Sequence, residues 1–522
     1  MSPENIQILI AMGVYLAVVV GIGVLFAKKA NENSDNFFLG GRTLGPWVAA
    51  MSAEASDMSG WLLMGLPGVA YWCGITDAFW TAIGLAIGTY INWLVVSKRL
   101  RNYSIVNQSI TIPEFISNRF KENKKIILSI ASVFILIFFT VYAASCFVTC
   151  GKLFSALFGF DYKLMMIIGA VVVILYTLMG GFLAESISDF IQGIVMIVAL
   201  IAVVTAGVIN AGGFSGIIDN VKSFPGFLEF FATATPTLGA DETTQLVVNN
   251  IPQFGGAASY GILTILSTMS WGLGYFGMPQ VLLRFMGIRK TSELKKSRRI
   301  AVIWVLISLV AAVFIGIMGR ALYPTDLLTA SSSENVFILL STKLMPPLVA
   351  GLMMAGILAA TMSSSDSYLL IAASAFAKDL FKGVIRKKAS DKQVMSVSRI
   401  ILIVISLLGV IIALDENSVI FNVVSFAWAG FGATFGPIIL FSLFWKRTTR
   451  SGAVAGMLSG GITVFIWKLL LKPTGVAVLS IYELLPAFII SCIAIVAVSL
   501  LSKKPSAEIE KDFDAAKTAA FE

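Results

Sequence analysis

The sequence predicts an all-α polytopic membrane protein, and three observations carry the prediction. Only 13% of the 522 residues are charged, against about 25% in soluble domains. Apolar residues make up 57%, and mean hydropathy is +0.88. Apolar runs of the length a helix needs to cross a bilayer, about 20 residues, recur along the chain. An outer-membrane barrel would instead alternate over segments of about 10 residues. Soluble enzymes, secreted disulfide scaffolds and disordered chains are excluded.

The runs give thirteen spans: 6–27, 45–72, 76–96, 126–150, 163–184, 187–210, 257–281, 300–323, 346–375, 398–414, 418–444, 452–470 and 479–501. An odd count puts the termini on opposite sides, and cytoplasmic loops carry the excess of Lys and Arg. With the N-terminus outside, 31 basic residues fall inside and 7 outside. The inner set includes Lys28, Lys29, Arg42 and, in the loop after span 7, Arg284 and Arg289. The start MSPENIQ has no basic n-region, so the first helix reads as retained rather than as a cleaved signal. Residues 1–501 form one membrane domain, and 502–522 a short polar cytoplasmic tail. The longest outer loop, about 211–256, reads as extracellular with a short helix and the acidic pair Asp241-Glu242.

There is no histidine, which removes HExxH metal chemistry, His-based triads and His proton relays. The four cysteines, Cys73, Cys146, Cys150 and Cys492, form no CxxC pair and read as small apolar packing residues. An intramembrane enzyme would have to rest on the Ser365–Asp366 pair.

Function is carried by polar and Gly-rich interruptions, because unwound backbone at membrane depth survives only where it is buried in protein or lines a cavity. Span 2 contains Ala53-Glu54-Ala55-Ser56-Asp57-Met58-Ser59-Gly60, followed by Gly65, Pro67 and Gly68. Asp57 is either a functional carboxylate or a cap on free backbone amides. Span 7 contains Ser270-Trp271-Gly272-Leu273-Gly274-Tyr275-Phe276-Gly277-Met278-Pro279, which cannot hold a regular helix. Its glycines serve either a break or close helix packing, and its aromatics either a site or an interfacial belt. Breaks in spans 2 and 7 imply a five-plus-five inverted repeat of spans 2–6 and 7–11, the arrangement transporters use to build a midplane site. Span 9 carries Ser363, Ser364, Ser365, Asp366 and Ser367, hard oxygen donors suited to Na+ or hydroxyls bonded back to their own helix. Asp189, after Gly180-Gly181, is either an N-cap of span 6 or an ion-site carboxylate.

The segments LGGRTLGPWVAAMSAEASDMSGWLLMGLPG (39–68), FFTVYAASC (138–146), YTLMGGFLAESISDFIQ (176–192), SWGLGYFGMPQVLLRFM (270–286), GILAATMSSSDSYLL (356–370) and SFAWAGFGATFGPIIL (425–440) resemble the sodium:solute symporter family. The resemblance covers nearly the whole chain and points to the proline-transporting branch rather than the sugar or sialate branches. It implies a thirteen-helix inverted-repeat fold and Na+-driven uptake of L-proline by alternating access. It further implies a bacterial plasma-membrane location, Na+ as coupling ion, and no cofactor, nucleic acid or obligate protein partner.

It maps a sodium site onto the carbonyls of Ala55, Met58 and Ala360 and the hydroxyls of Ser363 and Ser364. Asp57, Ser59, Gly60 and Arg42 map onto coupling positions, and Trp271, Tyr275, Pro279 and Tyr142 onto the substrate site. Relatives that hold a second sodium imply Asp189, Asp366 and Ser367 here. The chain departs from its relatives at Ser364, often Thr; at Asp366, often Ser or another small residue; and at Glu54, beside a typical Gly. Rival readings are a sodium symporter for another amino acid, an osmolyte or pantothenate, a transporter-like solute sensor, and an ion channel.

Overall fold

A computed structural model describes residues 2–30, 34–179, 181–519 and 521. Gly180 and the side chains of Lys28 and Lys29 lie outside the described residues. Ten helices among those described are long and apolar enough to cross a membrane unaided. Three shorter apolar helices, Trp61–Cys73, Tyr162–Leu178 and Ile262–Phe276, stand at the expected spans 2, 5 and 7. Span 2 begins earlier, with Pro46–Asp57, and span 7 continues as Pro279–Gly287.

Several helices outrun their apolar stretch. Ile75–Val106, Ile126–Phe158 and Pro347–Ile385 end ten, eight and ten residues beyond the limits hydropathy gave. Polar residues such as Lys98, Arg99 and Arg101 continue the helix out of the apolar layer, where hydropathy no longer marks it.

The centre is formed by spans 9 and 11. In the spanning windows of Pro347–Ile385 and Ile420–Phe444, 83% of residues are buried, against 28% in Pro3–Ile22. The broken helices cross against this core. Span 3 meets the break of span 7 backbone to backbone: a Cβ on Gly88 would stand 2.3 Å from Gly272 O, and one on Gly272 2.2 Å from Gly84 O. Gly88→Ala is therefore expected to cost about 1–3 kcal/mol by overpacking, read as a lower thermal midpoint in detergent. Gly13→Ala, with nothing within 4 Å of the added methyl, should leave the midpoint unchanged or raise it.

One face of the bundle carries residues 97–125 and 286–300, and is called the basic face. The opposite face carries the 211–261 segment. That segment holds the expected short helix, Phe214–Val221, and two small antiparallel sheets pairing 232–233 with 258–259 and 247–248 with 251–252. There Asp241 accepts the amides of Thr243 (3.2 Å) and Thr244 (3.0 Å) and the Thr244 hydroxyl (2.5 Å). These bonds, the hydroxyl's foremost, hold its carboxyl below the usual range. On this same face Glu334 is buried against Lys152, Nζ to Oε2 2.6 Å. It also accepts the first amides of span 11, Ile420 (2.9 Å) and Phe421 (3.0 Å).

The polar tail is not free. Helix Ala507–Thr518 lies along the basic face, with Phe513 buried beside Tyr103 and the guanidinium groups of Arg99 and Arg119 4.9 and 5.2 Å from its ring centre. Lys121 pairs with Glu508 (2.6 Å) and Asp512 (2.8 Å), and Lys446 with Asp514 (2.7 Å). The carboxylates raise the pKa of both lysines.

Candidate functional site

The break in span 2 is explicit in the backbone. Met58 leaves the helical region (φ −84°, ψ 73°). The amide of Ser59 bonds to Asp57 O (3.0 Å) and that of Leu62 to Ser59 O (3.0 Å). In an unbroken helix those two amides would serve Ala55 O and Met58 O. Both carbonyls thus lose their intrahelical donor at a depth where water is scarce. Gly60 is required by contact: a Cβ would lie 2.2 Å from Thr149 Oγ1 of span 4.

Span 9 supplies the answering oxygens. Ser363 Oγ donates to Ala55 O (2.7 Å) and to Ala360 O (3.2 Å), and Ser364 Oγ reaches Ala55 O at 3.4 Å. Helix phase sorts the serine cluster. Ser365 points elsewhere and bonds back to Thr361 O (2.6 Å), the packing reading for that residue alone. The carbonyls of Ala55 and Ala360 and the two hydroxyls converge, and all of these residues are buried.

Asp57 is not a helix cap. Its carboxylate takes side-chain donors from span 7: Tyr275 Oη to Oδ2 at 2.9 Å and Gln280 Nε2 to Oδ1 at 3.5 Å. The two breaks are joined through this acid. Ser59 is buried with its Oγ unpaired by protein. Glu54 turns away to span 3, accepting Trp93 Nε1 at 3.0 Å.

Span 7 tightens over Ser270–Phe276, opens at Met278 (φ −78°, ψ 108°) and restarts with Pro279 in its first turn. Proline suits that position because it lacks the amide that would go unpaired. Asn92 Nδ2 donates to the carbonyl of Tyr275 (3.0 Å). Trp271 and Tyr275 are buried rather than interfacial. Trp271 packs among Trp61, Phe421, Trp428 and Tyr482, with ring centres 5.1–6.2 Å apart, and Tyr275 meets Trp428 edge-on at 5.1 Å. The span 7 glycines are packing contacts as well as break residues; a Cβ on Gly274 would meet Trp428 Nε1 at 1.9 Å. Tyr142 stacks instead on Tyr368 of span 9, 4.2 Å between centres.

The expected second cation group divides. Asp189 lies inside helix Phe182–Asn210 rather than capping it, because that helix starts seven residues earlier. It accepts Ser52 Oγ at 2.7 Å. Arg284, counted above in a cytoplasmic loop, is fully buried on the half-helix of span 7 that follows the break, and reaches Asp189 at 3.0 Å and Ser367 Oγ at 2.9 Å. Asp366 faces another way. Its Oδ1 accepts the Ser367 amide (2.8 Å), and it borders a small cleft with Tyr176, Thr177 and Glu185. Arg42 sits at the basic face, donating to Ser104 Oγ (2.9 Å), Met286 O (2.7 Å) and Ser109 O (2.6 Å).

Sequence reading missed Trp61, Trp428, Tyr482, Gln280 and Glu185 as neighbours of these groups. Trp61, Gln280, Glu185 and Trp428 fall within the quoted segments, so a signal was present; Tyr482 lies outside them and carried none.

Against known proteins, the model of the family described as "SSF: Sodium:solute symporter family" matches residues 37–460. The sodium/proline symporter of Staphylococcus aureus (strain USA300 / TCH1516) is 39% identical over 516 residues, covering 98% of this chain and 96% of that protein. Its counterpart in strain NCTC 8325 / PS 47 matches to the same extent. Among solved structures, a Na+-coupled sialic acid symporter in a substrate-bound outward-open state aligns with TM-score 0.74 at 20% identity, over 96% of this chain and 99% of that one. The nucleobase-cation-symport-1 family transporter Mhp1 in a closed conformation aligns with TM-score 0.51 at 12% identity, over 93% and 100%. The distant likenesses show the fold alone. The family match and the closer relatives go further: this multi-pass membrane protein belongs to the sodium:solute symporter family.

Proposed function

We propose that the protein takes up L-proline across the bacterial plasma membrane, driven by Na+, by alternating access. The observation that carries the coupling is the carbonyl of Ala55, stripped of its helical amide by the break and met by Ser363 from another helix. Na+ at Ala55, Met58, Ala360, Ser363 and Ser364 takes its oxygens from spans 2 and 9, so binding fixes one against the other. Asp57 stands next to these ligands in span 2 and holds Tyr275 of span 7, which links the ion to the second broken helix. Ser59, Gly60 and Arg42 belong to the same coupling set.

Trp271, Tyr275, Pro279 and Tyr142 border the solute. Its ring packs on aromatic faces, and its carboxylate faces the N-terminal ends of the half-helices, where the dipole is positive. Proline as the solute is supported by the Staphylococcus aureus relatives. The N-terminus lies outside, the basic face is cytoplasmic, and residues 502–522 form a tail on the transport unit 1–501. The potential contributes about 2.3 kcal/mol per charge per 100 mV, so one Na+ concentrates a zwitterion substantially. Reciprocity requires that proline raise the affinity for Na+ by the factor by which Na+ raises that for proline.

The test is radiolabelled proline uptake into proteoliposomes with an inward Na+ gradient, and with K+ or H+ in its place. Concentrative uptake only with Na+ is expected. Na+-driven flux of another solute would overturn the substrate, and absence of any gradient-driven flux would overturn transport. Tyr275→Phe removes the bond to Asp57 and is expected to raise the proline KM about tenfold, the scale of a hydrogen bond to a charged group. An unchanged KM would separate Tyr275 from the solute.

A further inference from the structure

Arg284 is entirely buried, and its guanidinium contacts oxygens and an aromatic face. Nε donates to Ser52 Oγ (2.9 Å) and Nη1 to Gln280 O (3.2 Å). Nη2 donates to Asp189 Oδ2 (3.0 Å), Ser367 Oγ (2.9 Å) and Glu185 Oε1. The ring of Phe182 lies 4.8 Å from the guanidinium carbon. Ser367 Oγ also donates to Glu185, and Ser52 Oγ to Asp189 (2.7 Å).

Two carboxylates and two hydroxyls from spans 2, 6 and 9 therefore converge on one fixed positive charge. That oxygen set is chemically what a bare alkali cation requires. A guanidinium holds its charge throughout, and its planar fork engages several oxygens at once. Ser52 is three residues from Ala55 and Ser367 four from Ser363. Each step is one helical turn, roughly 5 Å. Arg284 thus braces the same two helices as the sodium site proposed above, one turn away, with a charge that cannot leave.

We propose that Arg284 is a built-in cation occupying the place of a second sodium ion, and that it sets the coupling at one Na+ per solute molecule. This rests on the sodium-symport reading and adds the ion count to it. Removing the guanidinium leaves Glu185 and Asp189 buried without a counter-charge, a cost that a replacement cation would offset. In Arg284→Ala the freed oxygens are then open to Na+.

The experiment has two arms. The first finds the membrane potential at which a fixed proline gradient in proteoliposomes gives no net flux, from which the number of ions per proline follows. The second counts radioactive Na+ bound per molecule of purified protein by equilibrium dialysis, without proline. Wild type is expected to give one ion in both, with a Na+ dependence of Hill slope one. Arg284→Ala and Arg284→Gln are expected to bind two, with a steeper Na+ dependence wherever they still transport. Two ions in the wild type overturn the proposal and leave sodium symport standing. One ion in both the wild type and the variants overturns it as well, since the guanidinium would not be what excludes the second. Absence of proline flux in the wild type overturns the symport reading, and the dialysis count then decides the role of Arg284 separately.

Discussion

Ser363→Ala combined with Ser364→Ala is expected to raise the Na+ concentration for half-maximal proline uptake at least about 100-fold. A hydroxyl bonded to a charge is worth about 1.5–3 kcal/mol, so losing two costs about 3–6 kcal/mol, and each 1.4 kcal/mol is tenfold. The comparison residue is Ser365, whose hydroxyl bonds only within span 9, to Thr361 O at 2.6 Å and Met362 O at 3.3 Å; Ser365→Ala should keep the wild-type Na+ dependence. A ligand that binds only the folded state raises its stability. Added Na+ should therefore raise the thermal midpoint of the wild type and leave that of the double variant unmoved. If the hydroxyls served only to pin Ala55 O, the variant would melt earlier while its Na+ dependence stayed the same. That result would remove the site from spans 2 and 9.

Glu334→Ala should be the most damaging single change to stability outside the site. Its side chain is 1% exposed and that of Lys152 5%. Deleting the carboxylate leaves the ammonium buried with Ser331 O at 3.2 Å, and breaking a buried pair from one side costs about 3–5 kcal/mol. It also strips the acceptor from the amides of Ile420 and Phe421, two of the four donors at the start of a helix that have no intrahelical partner. Span 2 packs directly against this residue: a Cβ on Gly68 would meet Glu334 Cα at 2.8 Å. The measurement is thermal unfolding in detergent for Glu334→Ala, Lys152→Met and the pair. The double variant should be less destabilised than the sum of the singles, because it leaves no orphan charge. Strict additivity would show the two residues to be independent.

What could be read from the sequence follows from the range of the physics. The breaks at Met58 and Gly277–Met278 are local, written in glycine, proline and intramembrane acids, and both were visible. The serine run 363–367 announced a polar face, but which hydroxyls cross to span 2 depends on helix phase against a neighbour some 300 residues away in sequence, as for Ser363 and Ala55 (308). Arg284 was misread because hydropathy treats an arginine near a basic stretch as the start of a loop. Its partners Glu185 and Asp189 are 99 and 95 residues away, and only the fold brings them together. A cap stayed open for Asp189 beside an ion-site role because the start of span 6 was placed at the onset of hydrophobicity rather than at Phe182. The tail offers few apolar residues, and the docking of Phe513 depends on an aromatic and cationic surface contributed by other segments.

That docked tail helix also has a timetable. Lys121 and its partner Glu508 are 387 residues apart in the chain, and a ribosome adds about 5–20 residues per second. Tyr103, Arg99 and Arg119 therefore wait roughly 20–80 s after they are made before Phe513 exists to cover them. Insertion and packing of the intervening spans proceed while this seat is bare, its cations and aromatic ring open to whatever is nearby. The clasp across the basic face is a late event of biogenesis, closing over a bundle whose other helices have already been delivered to the membrane.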